Sequence, residues 1–369
     1  MSNSALVPFN IRYLSPYKAG KTIEEVEREY SPPRISKLAS NENRMGCSPA
    51  VKSAVAGAIQ EIQDYPDPVA RKLRQALADE KNVQPGNIIL AAGSESIIAN
   101  LCRTFFLNNE QAITANTTFV GFFVQAGIRG VSLEKVPLTD DYRFNLDGMA
   151  DAITDRTKMI YIANPNNPTG TYITQSEFER FMRKVPDHVL VIMDEAYYEY
   201  ANQEADYPDS LSYDFDNVIT LRTFSKAYGL AGFRIGYGMA SKEIIGHMMK
   251  TKLTFEPTTL AQAAALAALE DPEFVRESRK RVKEGKKRLY TFFEKEQIPY
   301  ISSISNSVMM ILDTRQQAIS FTQKMLERGV ILRRTHAFGM PCGVRITIGR
   351  KKEMDHFEHA FQKVVGKMN

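Results

Sequence analysis

Lys226 is the residue whose position most directly suggests chemistry. It follows the apolar run TLRTFS, and Arg234 comes eight positions later in RTFSKAYGLAGFRIGY. A lysine that is desolvated at the end of a strand has a lowered pKa and can form Schiff bases with carbonyl groups. Arg234 and the hydroxyls of Thr223 and Ser225 could donate hydrogen bonds to a phosphate. Taken alone, such a lysine–arginine pair is more often a surface pair, so other residues must support the prediction.

Polar residues follow three other runs that have the pattern of buried strands. NIILAAG is followed by Ser94 and Glu95, where the free N–H groups of a helix start suit a phosphate. KMIYIANP leads into NPNNPTG, a turn that fixes the amide of Asn167. VLVIM ends at Asp194, whose burial is costly without a partner, and Tyr197 is close by. Each signal alone has a structural alternative: an ordinary helix start, a plain turn or an N-cap aspartate.

These residues need a framework that brings them together. From about residue 87 the sequence alternates short apolar runs with helical segments such as TQSEFERFMRKV. That alternation predicts an α/β fold with a mostly parallel sheet covered by helices on both faces. Ligands bind beyond the carboxyl ends of such strands, which is where the polar residues lie.

The domain organisation is predicted from a change of pattern near residue 272. A long amphipathic helix (272–296) and further strands and helices follow, which is typical of a smaller α+β domain. We expect a large cofactor-binding domain at 46–275 and a small C-terminal domain at 276–369. Residues 1–45 are expected to form an N-terminal segment that packs on the small domain.

Composition and charge exclude several classes of protein. The net charge of +4 is too small to indicate nucleic-acid binding, and LAQAAALAAL is too short to span a bilayer. Cys47, Cys102 and Cys342 lie far apart without CxxC spacing, which favours reduced thiols in a cytoplasmic protein. His356 and His359 lack an evident third ligand, so no metal site is expected. The first residues, MSNSALVPFNIRY, have no basic-then-apolar pattern, so a secretory signal is not expected.

The polar residues together describe one ligand. It carries an aldehyde for Lys226, a phosphate for Arg234 and its neighbours, and a ring nitrogen that pairs with the Asp194 carboxylate. It also carries a ring hydroxyl for Asn167 and Tyr197. Pyridoxal 5′-phosphate has all four groups.

The motifs GSES, NPNNPTG, DEAY and TFSKAYGLAGFRIGY resemble those of the fold-type I, aspartate-aminotransferase-like pyridoxal-phosphate enzymes. Within that family the chain is most similar to the histidinol-phosphate aminotransferase group. KLASNEN, DYPDP, LAQAAALAALED and GVRITIG also occur in the expected order, so the resemblance covers nearly the whole chain.

The resemblance implies a role for each residue that meets the cofactor. Lys226 would bond to the aldehyde and move the reacting proton, and Asp194 would hold the ring nitrogen protonated. Asn167 and Tyr197 would bind the ring hydroxyl, and Phe119 would stack on the ring. The phosphate would be surrounded by Ser94, Glu95, Thr223, Ser225, Arg234 and the Tyr65 of a neighbouring subunit. A homodimer with shared active sites is therefore implied.

The resemblance also implies a substrate site. Arg345 would bind the anionic end of the substrate, because a guanidinium fork fits a carboxylate or a phosphate. Arg333 would bind the phosphorylated substrate, although Arg334 beside it is an alternative. The further expected substrate contacts are Tyr17, Asn41 and Asn306.

The sequence departs from the family pattern at several places. Arg44 and Thr117 stand where proline is usual, and Ser96 stands where glutamate is usual. KLTFEPTTLAQ replaces the more usual PFNVN-like segment. Several of these positions border the expected substrate entrance, so they leave the amino donor open.

The expected reaction is amino transfer from histidinol phosphate to 2-oxoglutarate, giving imidazole acetol phosphate and glutamate, a step of histidine biosynthesis. An aromatic amino-acid aminotransferase and a phosphothreonine-type decarboxylase of the same fold are the alternatives. A regulator domain is disfavoured because the chain has no added DNA-binding module. A nicotinamide-dependent dehydrogenase is disfavoured because no strand is followed by GxGxxG.

Overall fold

The computed structural model describes residues 6–12, 14, 20–107 and 109–365, so the expected substrate contact Tyr17 lies outside the described residues. The helices are α1 (Phe9–Arg12), α2 (Ile23–Tyr30), α3 (Pro49–Ala58), α4 (Arg71–Lys81), α5 (Ser94–Phe105), α6 (Val120–Arg129), α7 (Leu146–Asp151), α8 (Gln175–Met182), α9 (Tyr198–Ala201), α10 (Lys242–Thr251), α11 (Thr259–Leu269), α12 (Pro272–Lys295), α13 (Arg315–Leu326) and α14 (Lys351–Val365). The strands are β1 (Ser36–Lys37), β2 (Ile88–Ala91), β3 (Gln111–Ala115), β4 (Ser132–Val136), β5 (Thr157–Ala163), β6 (Leu190–Asp194), β7 (Val218–Thr223), β8 (Gly236–Met239), β9 (Tyr300–Ile301), β10 (Ser307–Ile311), β11 (Val330–Ile331), β12 (Arg333–Arg334) and β13 (Gly343–Thr347).

A seven-stranded sheet forms the centre of the fold, in the order β2-β8-β7-β6-β5-β3-β4. The strands β3 to β7 pair in parallel, whereas β8 runs antiparallel to both β2 and β7. The parallel register sets Ala163 beside Asp194 and Asp194 beside Leu221, so the carboxyl ends of β5, β6 and β7 lie at one edge. The predicted α/β fold with a mostly parallel sheet is confirmed.

Both faces of this sheet are buried, as the near-continuous apolar strands predict. Along β2, Ile88 and Leu90 pack into one hydrophobic core, while Ile89 and Ala91 pack into the other. The first core continues into α11, α12 and the C-terminal elements, and the second lies against α5, α6 and α8. The polar residues at the strand ends therefore sit above two packed layers that hold them in place.

The basic stretch near residue 280 belongs to α12 and follows the pattern expected of an amphipathic helix. The Asp271 side chain accepts the Phe274 backbone N–H at its start, and Pro272 is its first residue. Val275, Val282 and Leu289 are buried on one face, which leaves most of the lysines and arginines on the outer side.

The C-terminal third contains a second sheet, antiparallel, in the order β12-β13-β10-β9. A separate pair joins an early segment of the chain to a late one: β1 lies parallel to β11, with Ser36 beside Val330. None of the helices in the described ranges is long and apolar enough to cross a membrane. Within those ranges no three His, Cys, Asp or Glu side chains are grouped to hold a metal ion.

Candidate active site

A cavity of about 180 Å³ lies beyond the carboxyl ends of β5, β6 and β7. The structure brings together there all the predicted cofactor residues except Tyr65. Its lining comprises Ser94, Glu95, Phe119, Ala163, Pro165, Asn167, Asp194, Ala196, Tyr197, Thr223, Ser225, Lys226 and Arg234. The strand directions explain this convergence, because the segments that follow β2, β3, β5, β6 and β7 all begin at the same sheet edge.

Asp194 is a buried carboxylate with one oxygen still available for a ligand. It ends β6 and is 4% exposed. Oδ2 accepts a hydrogen bond from the Tyr161 hydroxyl (2.6 Å), whereas Oδ1 has no partner in the described part of the chain. Burial raises the pKa of Asp194 to about 6, against the lowering effect of Tyr161, the Ala196 N–H and the Lys226 charge. A cationic N–H donor in the cavity would satisfy this oxygen and stabilise the carboxylate.

The start of α5 and the Arg234 side chain form a cradle for an anion. Gly93 has a φ of +87°, and a Cβ there would lie 2.8 Å from Arg234 Nη2. A Cβ on Gly236 would lie 2.6 Å from the Ser94 backbone nitrogen. The first-turn N–H groups of α5 and the Arg234 guanidinium therefore face the same space, which favours a phosphate.

Lys226 lies three residues beyond the end of β7 and is half-buried. Its Nζ is 3.5 Å from the Ser40 carbonyl oxygen and 5.5 Å from the centre of the Tyr197 ring. A tight turn follows, in which the Gly229 N–H donates to the Lys226 carbonyl (3.0 Å). Gly229 has a φ of +74°, and a Cβ there would meet the Gly46 carbonyl oxygen at 1.8 Å. The absence of a side chain at 229 thus sets the position of the lysine.

Asn41 connects the N-terminal segment to the cavity. Its Nδ2 donates to the Tyr197 hydroxyl oxygen (2.8 Å), and its carbonyl accepts from Asn306 Nδ2 (2.9 Å). The Thr347 hydroxyl, which the sequence did not single out, donates to Asn41 Oδ1 (3.0 Å). Because the Tyr197 oxygen accepts from Asn41, its own proton is available to a ligand.

The predicted substrate arginines lie side by side next to this cavity. Arg345 on β13 is directly opposite Arg333 on β12, and the guanidinium carbons of both lie over the Phe338 ring, at 5.6 and 5.4 Å. Arg334 points to the other face, because successive residues of a strand alternate. Arg345 Nη1 donates to Asn167 Oδ1, which leaves the Asn167 NH₂ group to face the cavity without a partner among the residues described.

Tyr161 is a site residue that the sequence reasoning missed. Its hydroxyl holds the Asp194 carboxylate, and its ring stacks on Phe122 at 4.5 Å. The signal was present: Tyr161 precedes Ala163 by two residues on β5, and Ala163 lies beside Asp194. Residues two apart on a strand share a face, so a tyrosine there reaches the neighbouring carboxylate.

Tyr65 lies outside the cavity of its own chain. Its side chain is 81% exposed, and its ring stacks on Phe255 at 4.3 Å. Within one chain it is not among the residues that line the cavity.

Comparison with known proteins identifies the family. Residues 33–361 match the family described as "Aminotransferase class I and II". The chain belongs to this family. Curated relatives of this chain include the histidinol-phosphate aminotransferase of Geobacillus sp. (strain WCH70). It is 42% identical over 96% of this chain and 97% of that protein. Another is histidinol-phosphate aminotransferase 2 of Carboxydothermus hydrogenoformans, 41% identical over 95% of this chain and 97% of that protein.

Solved structures of aminotransferases share the fold. The histidinol-phosphate aminotransferase of Sinorhizobium meliloti, solved in complex with pyridoxal-5′-phosphate, has a TM-score of 0.92 and 27% identity, with both chains fully covered. A Thermus thermophilus aspartate aminotransferase has a TM-score of 0.85 and 22% identity, over 97% of this chain and 99% of that chain. The predicted aspartate-aminotransferase-like fold is therefore confirmed.

Proposed function

We propose that this chain is a pyridoxal-phosphate-dependent aminotransferase that moves the amino group of histidinol phosphate to 2-oxoglutarate. The products would be imidazole acetol phosphate and glutamate, in histidine biosynthesis. The observation that carries the chemistry is the buried, unpartnered Oδ1 of Asp194 in a cavity that also contains Lys226 and the Arg234 cradle. The names of the relatives at about 40% identity support the substrate.

Pyridoxal 5′-phosphate fits the residues present. Asp194 would accept from the ring nitrogen, Tyr197 and Asn167 would donate to the ring hydroxyl, and Phe119 would lie against the ring. The start of α5, Arg234 and neighbouring hydroxyls would hold the phosphate. When bound, the cofactor supplies an electron sink for the bond that breaks at the substrate Cα.

Proton transfer, stabilisation of the ring charge and orientation of Tyr197 are the proposed roles of three side chains. Lys226 Nζ would take the proton from the substrate Cα as general base and deliver the same proton to C4′ of the cofactor as general acid. Burial of Asp194 strengthens its interaction with a cationic ring, because charges attract more strongly in a site of low dielectric constant. Asn41 orients Tyr197 through its 2.8 Å hydrogen bond.

Arg345 and Arg333 are proposed to bind the anionic ends of the two substrates. A guanidinium fork fits a carboxylate or a phosphate, so one site can accept both a dicarboxylate and a phosphorylated amino alcohol. Their common position over Phe338 supports this assignment. Asn306 contributes through the Asn41 carbonyl that it holds.

A homodimer with shared active sites is part of the proposal. Tyr65 would bind the phosphate of the cofactor in a second copy, and its high exposure within one chain supports this role. Exposed apolar side chains near it in the sequence and in the structure offer a surface for that copy: Ile59, Ile62, Leu253 and Phe255.

The domain division at 1–45, 46–275 and 276–369 is proposed as well. The seven-stranded sheet lies wholly within the middle range, and the pairing of β1 with β11 ties the first range to the last. The boundary at 275 falls near the start of α12, which would join the two larger domains.

A cytoplasmic location is also proposed. It is supported by the three cysteines, which form no disulfide.

The half-reaction tests the proposed function. The cofactor-loaded protein is mixed separately with histidinol phosphate, phenylalanine, tyrosine, glutamate and phosphothreonine, and conversion to the pyridoxamine form is followed by absorbance. We expect fast conversion with histidinol phosphate and glutamate. Conversion with phenylalanine but not histidinol phosphate would identify the aromatic aminotransferase, and release of carbon dioxide without amino transfer would identify the decarboxylase.

Lys226→Ala provides the matching test of the lysine. The variant should lose the cofactor's lysine-bound absorption band and slow the half-reaction by roughly 10⁴-fold or more. Lys283→Ala, at an exposed lysine on α12, is the control and should behave as the wild type. A band that persists in Lys226→Ala and is discharged by the same amines would contradict the assignment.

A further inference from the structure

The loop of residues 252–258 joins α10 to α11 and is anchored to the start of α5. Glu256 Oε2 accepts hydrogen bonds from the Ser96 hydroxyl (2.8 Å) and from the Ala92 backbone N–H (3.3 Å). These two groups flank the turn whose N–H groups face the phosphate cradle. Ser96 and this loop both depart from the family pattern. The two departures are in direct contact through the Ser96–Glu256 hydrogen bond.

The same loop is fastened to the segment that carries Tyr65. Lys252 is half-buried, which lowers the pKa of its ammonium group. Its Nζ donates to the carbonyl oxygens of Pro68 (3.1 Å), Leu253 (3.2 Å) and Glu256. An ammonium group has three donors, and here all three are used on carbonyls. Lys252 therefore links the 252–258 loop to the YPDP segment at 65–68.

The outer side of the loop supports the Tyr65 ring. Phe255 stacks on Tyr65 with an angle of 17° between the ring planes, and Phe255 itself has a φ of +63°. A non-glycine residue adopts that φ at a cost in free energy, so surrounding contacts must hold it there. Gln262 adds a second link, since its Nε2 donates to the carbonyls of Asp67 (3.0 Å) and Pro257 (2.9 Å).

We propose that the 252–258 loop couples the phosphate site of one chain to the surface that the same chain presents to a second copy. Phosphate binding restrains the start of α5. The hydrogen bonds of Glu256 then restrain the 252–258 loop, and the loop restrains the Tyr65 ring. By thermodynamic reciprocity, association of two copies strengthens cofactor binding by the same factor. Glu256 and Lys252 act as positioning residues. The inference rests on the proposed cofactor and on the proposed dimer.

The test measures the dimer dissociation constant with and without pyridoxal 5′-phosphate, by sedimentation after dilution, and the cofactor dissociation constant by absorbance. The ratio of the two dimer constants is the coupling. Glu256→Ala should lower that ratio and weaken cofactor binding, each by about tenfold, the effect of losing one hydrogen bond to a charged group. Glu256→Gln keeps an acceptor of the same shape and should retain most of the coupling.

The comparison of these two variants separates positioning from charge. If Glu256 acted only through its negative charge near the phosphate, the alanine and glutamine variants would change equally, and that result would overturn the proposal. Glu243→Gln, at an exposed glutamate on α10, is the matched control and should leave both constants unchanged.

Lys252→Met gives an independent test, since Lys252 contacts neither the start of α5 nor the cavity lining. It should lower the coupling in the same direction as Glu256→Ala. Unchanged coupling in both Glu256→Ala and Lys252→Met, in a chain that binds cofactor and dimerises, would overturn this inference alone. A wild-type chain that binds no cofactor would overturn the proposed function as well.

Discussion

Glu199 is a buried carboxylate that the proposed chemistry does not use. It is 6% exposed on α9, and neither of its oxygens has a hydrogen-bond partner in the described ranges. Burial raises its pKa to about 7, although Arg222 and Lys81 act in the opposite direction. Folding therefore favours the protonated form of this group, and its ionisation destabilises the fold.

The first prediction follows from the sign of that shift. The folded pKa lies above the ordinary value of 4.5, so the stability contributed by protonated Glu199 is fully present below about pH 4.5 and is lost as the pH rises through 7. Glu199→Gln should remove this loss and raise the free energy of unfolding at pH 8 by about 2–3 kcal/mol. Denaturant titrations at pH 5 and pH 8 measure it. The exposed Glu284→Gln is the control, and an equal gain at both pH values would contradict the mechanism.

Gly229 and Gly232 lie in the same connection between β7 and β8 but differ in the space around them. They provide a matched pair for the second prediction. Gly229→Ala forces a Cβ onto the Gly46 carbonyl at a positive φ, whereas a Cβ on Gly232 meets nothing within 4 Å. We expect Gly229→Ala to lower the free energy of unfolding by about 2–4 kcal/mol and to displace Lys226. Gly232→Ala should be neutral. Thermal unfolding and turnover are measured on both, and equal effects would refute the steric argument.

At the scale of elements, the pairing of β12 with β13 decides which of two adjacent arginines lies beside Arg345. Arg333 lies opposite Arg345, and Arg334 lies opposite Val344. This alternation separates two adjacent residues of the same type onto opposite faces of the sheet.

The third prediction uses that pair. Arg333→Ala should raise the KM for histidinol phosphate by roughly 10–100-fold, since a charged hydrogen bond to the phosphate is lost. The effect on glutamate should be smaller, because glutamate carries no phosphate, and Arg334→Ala should change neither value. Steady-state kinetics with both donors measure this. An equal loss for both substrates would place Arg333 outside the phosphate site.

The residues that the sequence predicted for the cofactor line one cavity, and there is a physical reason for this. Asp194, Asn167, Lys226 and Ser94 each follow an apolar strand, and the carboxyl ends of these strands meet at one edge. The strand predicted from FRIGYGMA is β8, but its reversed direction depends on its neighbours rather than on its own residues. The Tyr161–Asp194 bond was missed because strand order and register cannot be deduced from one strand alone.

Contacts between distant loops were beyond the reach of sequence patterns. Ser96 and the segment that contains Glu256 were noted only as separate departures from the family pattern. Nothing in the sequence around either residue indicates that the two side chains form a hydrogen bond. Asn41 was expected to contact substrate, and the structure places it against Tyr197 and Thr347. Such contacts depend on tertiary packing, which local periodicity does not encode.

At the scale of the whole molecule, the proposed dimer predicts complementation between two inactive variants. Lys226→Ala and Tyr65→Ala chains are each expected to have low activity alone. A mixed dimer would have one intact site, built from the Lys226 of one chain and the Tyr65 of the other. Mixing after reversible dissociation should restore about one quarter of wild-type activity, because half of the dimers are mixed. No recovery, with mixed dimers confirmed by tagged chains, would contradict shared active sites.

The pairing of β1 with β11 has a consequence for the chain during its synthesis. Ser36 finds its partner at Val330, so this strand pair forms only after nearly all of the polypeptide has left the ribosome. The seven-stranded sheet, complete by residue 239, can assemble while β1 is still without its partner strand. Asn41 lies four residues beyond the end of that strand, so its hydrogen bond to Tyr197 comes from a segment that is anchored late in synthesis. The proposed active site therefore includes a contact whose anchoring strand pair cannot form until residues 330–331 have been made.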